Sequence, residues 1–160
     1  MQGLLKRIYE SKKLTASLKI ISHVCVAFGI LAWAALLVIC YLDDKLFALK
    51  VAVCGAVPFL LISAFRRFIN APRPYELYDF YAEPPKNKKG KSFPSRHVFS
   101  AFLIATLWFF ESPVIAAALA AIGVILAVNR VLVGIHFVRD VIAGAIVGVI
   151  SGALGILIVL

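Results

Sequence analysis

Between Ile20 and Leu42 the chain carries no Lys, Arg, Asp or Glu. About 20 predominantly apolar residues are enough to carry a helix across the hydrocarbon of a bilayer. This run excludes a water-soluble single domain. The composition agrees: 62% hydrophobic and 16% charged residues with a mean hydropathy of +0.98, where soluble domains have roughly 45–50% apolar and about 25% charged residues. The run is longer than the apolar core of a removable signal peptide, and no small-residue cleavage site follows at Tyr41-Leu42-Asp43-Asp44. A chain of 160 residues suits one compact membrane-embedded unit.

Four further apolar stretches follow: Leu46–Phe65, Val98–Phe110 (extended back to Ser95), Val114–Val128 and Val141–Leu160. The reading is an all-α polytopic helical bundle of about five transmembrane helices. Residues 1–19, with Leu4, Leu5 and Ile8 beside Lys6, Arg7, Lys12 and Lys13, fit either an amphipathic interfacial helix or a charged tail. Residues 66–96 hold Pro72, Pro74, Pro84 and Pro85 and the basic run Lys86–Lys91, a composition that resists a regular helix. Five spans put the N-terminus, this loop and residues 129–140 on one side. All the basic residues except Lys45 and Lys50 fall there, so the positive-inside rule makes that side cytoplasmic.

The net charge of +9 points to anionic lipid headgroups or an anionic substrate rather than to nucleic acid. Cys25, Cys40 and Cys54 lie in apolar runs without metal-ligand spacing and read as small buried hydrophobes. Gly144, Gly148, Gly152 and Gly155 place small residues at close-packing intervals on the last span, best read as packing within the chain.

Polar residues collect at span ends on the loop side: Arg66, Arg73, Ser95, Arg96, His97, Arg130, His136 and Asp140. Ionisable groups at membrane depth are costly and mark function. Arginine forks bind phosphate oxygens bidentately and offset charge developing in phosphoryl transfer, a role open to Arg66, Arg73 and Arg130. Ser95, as the cap of the third span, would present its hydroxyl and the free N–H groups of Arg96 and His97 to the same anion. His136 and Asp140 stand four apart and would share a helix face, the carboxylate fixing the tautomer of a nucleophilic imidazole. His97 is then free for general acid–base work. Singly, each has a plainer reading: arginines anchor span ends, and His-x-x-x-Asp is weak as a motif. His23, inside the first span, reads as a helical histidine satisfied locally.

Order and spacing change the odds. The chain reads Arg66-(six)-Arg73-Pro74, then Pro94-Ser95-Arg96-His97, then Asn129-Arg130-(five)-His136-(three)-Asp140. This resembles the signature of the type 2 phosphatidic acid phosphatases, membrane lipid-phosphate phosphatases related in site design to vanadium haloperoxidases. The resemblance covers about residues 66 to 140. It implies a cofactor-free, metal-independent mechanism in which His136 attacks phosphorus, assisted by Asp140, and His97 protonates the leaving group and then activates water. Arg66, Arg73, Ser95, Arg96 and Arg130 would hold the phosphate. The substrate would be a lipid phosphate: phosphatidic acid, phosphatidylglycerol phosphate or a polyprenyl diphosphate. Transfer to another hydroxyl, haloperoxidase chemistry and a non-catalytic anionic-lipid binder or transporter are the rival readings.

Three positions depart from the family pattern. Arg66 stands for Lys, and Asn129 for Ser with a hydrogen bond expected to survive. Arg96 stands for Gly, a cation that either reaches a second phosphate or turns to the headgroups. The family habit of six spans and an extracytoplasmic site also conflicts with the side chosen by the charge rule. Oligomeric state is left open by the sequence.

Overall fold

The computed structural model describes residues 11–78 and 89–159. Among these the ordered elements are all helical: α1 (Lys12–Asp43), α2 (Lys45–Ile69), the single turn α3 (Pro74–Leu77), α4 (Arg96–Leu107) continued by a 3-10 turn at Trp108–Phe110, α5 (Pro113–Leu132) and α6 (Val138–Val159). Helices α1, α2, α5 and α6 are each long and apolar enough to cross a membrane.

The boundaries follow from caps. The Ser11 hydroxyl accepts from the Leu14 N–H at 3.4 Å, Asp44 accepts from Leu46 N–H at 2.8 Å, and Ser112 accepts from Ile115 N–H at 3.4 Å ahead of Pro113. Helix α2 ends where Asn70 turns left-handed at φ 45° and its N–H bonds back to Arg66 O at 3.1 Å. Helix α1 runs unbroken from Lys12 into the first span. The second half of the basic segment is therefore part of that span's helix, while residues 1–10 lie outside the described residues, as do residues 86–88 of the basic run.

The third span is the exception in length. From Arg96 to Phe110 it rises only roughly 22 Å at about 1.5 Å per residue, short of a hydrocarbon core of about 30 Å. It can be short because α1, α2, α5 and α6 enclose it, burying Val98, Phe99, Leu103, Ala105 and Leu107. Its N-terminal end meets protein rather than lipid: Ser95 N–H donates to Asp140 O at 2.8 Å.

The glycines of α6 set how closely it approaches α4. A Cβ on Gly144 would stand 2.6 Å from Ser95 O, and one on Gly148 would stand 2.5 Å from Phe99 O. Gly152 and Gly155 face Thr106 and Cys54. The stripe thus packs within the chain. The core contains Leu36, Val51, Phe99 and Leu107, all fully buried, and Cys25, Cys40 and Cys54 are buried free thiols. The outside is just as apolar, with Leu31 66%, Leu60 65%, Val114 80% and Leu157 76% exposed. A surface of that kind belongs in lipid.

Candidate active site

One end of the bundle gathers the C-terminal turns of α2 and α5 and the N-terminal turns of α1, α4 and α6. Asn129 on α5 is buried and donates from Nδ2 to Leu18 O of α1 at 2.9 Å. This hydrogen bond ties the first span to the site. His23 on the same helix contacts Lys19 O through Nδ1 at 2.7 Å, as a locally satisfied histidine should.

Arg66 is helical rather than part of the loop, and it is buried at the end of α2. Its two terminal nitrogens donate to Lys91 O and Pro94 O. A lysine ammonium is a point donor, whereas the guanidinium fork spans both carbonyls at once. Arg73 donates from Nε to Gly90 O at 2.9 Å, and Glu76 Oε1 accepts from both Arg73 N–H, at 3.1 Å, and Gly90 N–H, at 2.7 Å. Ser92 N–H donates to Ala71 O at 2.9 Å. The stretch from Gly90 to Pro94 is thus laced to α2 and α3 from both sides.

That stretch delivers Ser95 to the start of α4. Ser95 occupies the N-cap position, but its hydroxyl makes no cap bond; it is fully buried and has no hydrogen-bond partner. Arg130 at the end of α5 likewise has a buried Nε with no partner. Buried polar groups are nearly always satisfied, so a hydroxyl and a guanidinium nitrogen left open at the same end of the bundle suit an anion arriving from outside.

His136 and Asp140 meet, but not along one helix face as expected. His136 lies in the turn between α5 and α6, and Asp140 lies in the first turn of α6. The turn is closed by His136 N–H on Arg130 O at 3.3 Å and by Phe137 N–H on Asp140 Oδ2 at 3.0 Å. Both side chains are buried, with His136 Nδ1 3.5 Å from Asp140 Oδ2. Between them stands Ser92, which the sequence reading missed. It is fully buried, its Oγ donates to Asp140 Oδ2 at 2.5 Å, and it lies 3.4 Å from His136 Nδ1.

Burial pushes the His136 pKa down to about 4; the adjacent Asp140 resists, while the Arg73 and Arg66 cations push the same way as burial. The imidazole is therefore neutral at pH 7, with a free ring nitrogen lone pair. His97, one residue into α4, is exposed. It and Arg96 line a cavity of about 590 Å³ between α1, α2 and α4 whose walls include Trp33, Ala56, Phe59 and Ile104. Arg96 leans over the Phe59 ring, 5.2 Å from its centroid, with Nη1 3.5 Å from Ser63 Oγ.

Residues 45–160 match the sequence model of the PAP2 superfamily. The chain belongs to that superfamily. No curated protein is similar enough to match. Two solved PAP2-like folds align along nearly the whole chain, each with a TM-score of 0.71. LpxE of Aquifex aeolicus is 23% identical, with 97% of this chain and 93% of that chain covered. A transmembrane PAP2-type phosphatidylglycerolphosphate phosphatase of Bacillus subtilis is 22% identical, with coverage of 98% and 85%. The PAP2 fold of this chain is thus a multi-pass, all-helical membrane bundle.

Proposed function

We propose that this PAP2 protein is a metal-independent lipid-phosphate phosphatase working through a phosphohistidine at His136. The observation that carries the reading is the buried, neutral His136 beside Asp140, facing a cluster of arginines with an open Ser95 hydroxyl and an open Arg130 Nε. Arg66, Arg73, Arg130 and Ser95 hold the phosphoryl oxygens, with Arg66 also bracing the loop. His136 Nε2 attacks phosphorus and the bond to the leaving oxygen breaks. His97, which takes up a proton as the anionic phosphate binds beside it, gives that oxygen its proton. Neutral His97 then takes a proton from water, whose oxygen attacks phosphorus; the P–N bond breaks and phosphate leaves, with His97 reprotonated. Donors preset for charge on the transferring group lower the barrier.

The apolar cavity under His97 supports a lipid rather than a soluble phosphate, because a chain seated there leaves its phosphate beside His97. Arg96 in the cavity wall favours lipids with a second anionic group next to the scissile bond. Polyprenyl diphosphates carry that group on the bridging oxygen itself, whereas phosphatidylglycerol phosphate, the substrate named for the Bacillus subtilis relative, carries it across a glycerol.

The test is phosphate release by purified full-length protein in detergent with EDTA present. Phosphatidic acid, phosphatidylglycerol phosphate and undecaprenyl diphosphate are the substrates, and His136→Ala is run alongside. Release that survives EDTA and is lost in His136→Ala is the expected result. No release from any lipid, or release indifferent to His136, would overturn the reading.

A further inference from the structure

Asp140 Oδ2 lies 3.5 Å from His136 Nδ1 and Ser92 Oγ lies 3.4 Å from the same nitrogen, both longer than the 2.7–3.2 Å of an ordinary N–H···O bond; the short bond among the three is Ser92 to Asp140. Ser92 fills the angle between Asp140 and His136, 2.5 Å from the carboxylate oxygen and 3.4 Å from the imidazole nitrogen, in a wholly buried position. We infer that Ser92 is a positioning residue that couples Asp140 to His136 through its hydroxyl.

An ionised carboxylate only accepts, and a serine hydroxyl has one proton to give and lone pairs to receive with. Ser92 gives its proton to Asp140 Oδ2, so towards His136 it can only accept. The ring proton must then sit on Nδ1, which leaves the lone pair on Nε2, the nitrogen that meets phosphorus. When His136 is phosphorylated, the ring gains positive charge and the same chain, Nδ1–H to Oγ and Oγ–H to Oδ2, passes the stabilisation of the carboxylate to it. Hydrogen bonds of this kind are often long in the free enzyme and tighten in the reacting complex.

The surroundings hold Ser92 for this task. Its N–H is fixed on Ala71 O at 2.9 Å, and the Arg66 fork grips the carbonyls of Lys91 and Pro94 on either side of it. Asp140 Oδ2 is further fixed by Phe137 N–H at 3.0 Å. Each partner of the hydroxyl is thus itself anchored, as a relay requires.

The inference rests on His136 as nucleophile, and the experiment separates the two. Full-length wild type, Ser92→Ala, Ser92→Thr and His136→Ala are compared for kcat, KM and competitive inhibition by inorganic phosphate. Losing a group that orients a reacting residue costs about 10–100-fold in activity. Ser92→Ala should therefore lose that much in kcat, with KM and the phosphate inhibition constant within about threefold of wild type. Ser92→Thr, which keeps the hydroxyl, should return kcat to within about fivefold. Ser92→Ala turning over at the wild-type rate would overturn the inference. So would Ser92→Thr as slow as Ser92→Ala at an unchanged phosphate inhibition constant, or a loss of phosphate affinity equal to the loss of rate. If His136→Ala itself keeps its activity, the function reading fails first, and this inference with it.

Discussion

Gly144→Ala isolates how finely the site depends on the seam between α4 and α6. The added Cβ would stand 2.6 Å from Ser95 O and 3.3 Å from Phe99 N, both backbone atoms, whereas ordinary contact begins at 3.4 Å. Relief needs a separation of about 0.8 Å between helices, since neither partner can swing aside as a side chain would. The Ser95 segment is hydrogen-bonded across the same seam to Asp140 O at 2.8 Å, so the displacement moves Ser95 and His97 away from His136 and Asp140. Overpacking of this kind costs roughly 1–3 kcal/mol, and a misplacement near 1 Å costs about 100-fold in rate. Gly29→Ala is the control, because nothing stands within 4 Å of its added Cβ and alanine is the better helix former by about 1 kcal/mol. Phosphate release and thermal unfolding in detergent are measured for both. Gly144→Ala should unfold at a lower temperature and lose on the order of 100-fold in kcat/KM, with Gly29→Ala at least as stable as wild type. Wild-type activity in Gly144→Ala would refute the claim that backbone contact at this seam sets the site geometry.

Arg66→Lys, which restores the usual family residue, gives up one of the two loop carbonyls. It should lower kcat/KM by roughly tenfold, the lower end of losses for an orienting contact; a steady-state assay showing equal or higher activity would mean that the fork is not needed to hold the loop. Asn129→Ala removes the bond to Leu18 O and should cost about 1 kcal/mol, read as a lower unfolding midpoint. No change there would show that α1 is held without it. The His136 pKa is about 4 in the fold against about 6.5 for a free imidazole, so between those values the unfolded chain binds the extra proton. The unfolding midpoint should therefore fall as pH drops from 6.5 towards 4 and level off below, with a shallower fall in His136→Gln. Identical pH slopes for the two proteins would contradict the depressed pKa.

The spans and the three polar segments were legible because both are written locally. Hydropathy marks Ile20–Leu42 without reference to the rest of the chain, and the spacing from Asn129 to Asp140 survives whatever the backbone does between them. What was hidden depends on contacts between segments distant in sequence. Ser92 is one small polar residue in a proline-rich loop, with no period to single it out; only the fold sets its hydroxyl against Asp140, 48 positions away. Four-residue spacing suggested a shared helix face for His136 and Asp140, yet Gly134, at φ 68°, opens a turn there, and the pair meets across a helix start instead. For Arg66 the charge was evident and its partners were not, since Lys91 O and Pro94 O reach it only after the loop folds back. The short third span is legible as short; its enclosure by four neighbours is a property of the bundle.

The most direct test of the account is to trap the covalent intermediate. Full-length protein is mixed with lipid substrate carrying ³²P in its terminal phosphate, quenched with base within milliseconds to seconds, and digested to locate the label. The account requires acid-labile, base-stable label on the peptide containing His136, its absence in His136→Ala, and its accumulation in His97→Ala supplied with a substrate whose leaving group needs no proton. Steady turnover with no label on His136, or label on any other residue, would contradict it.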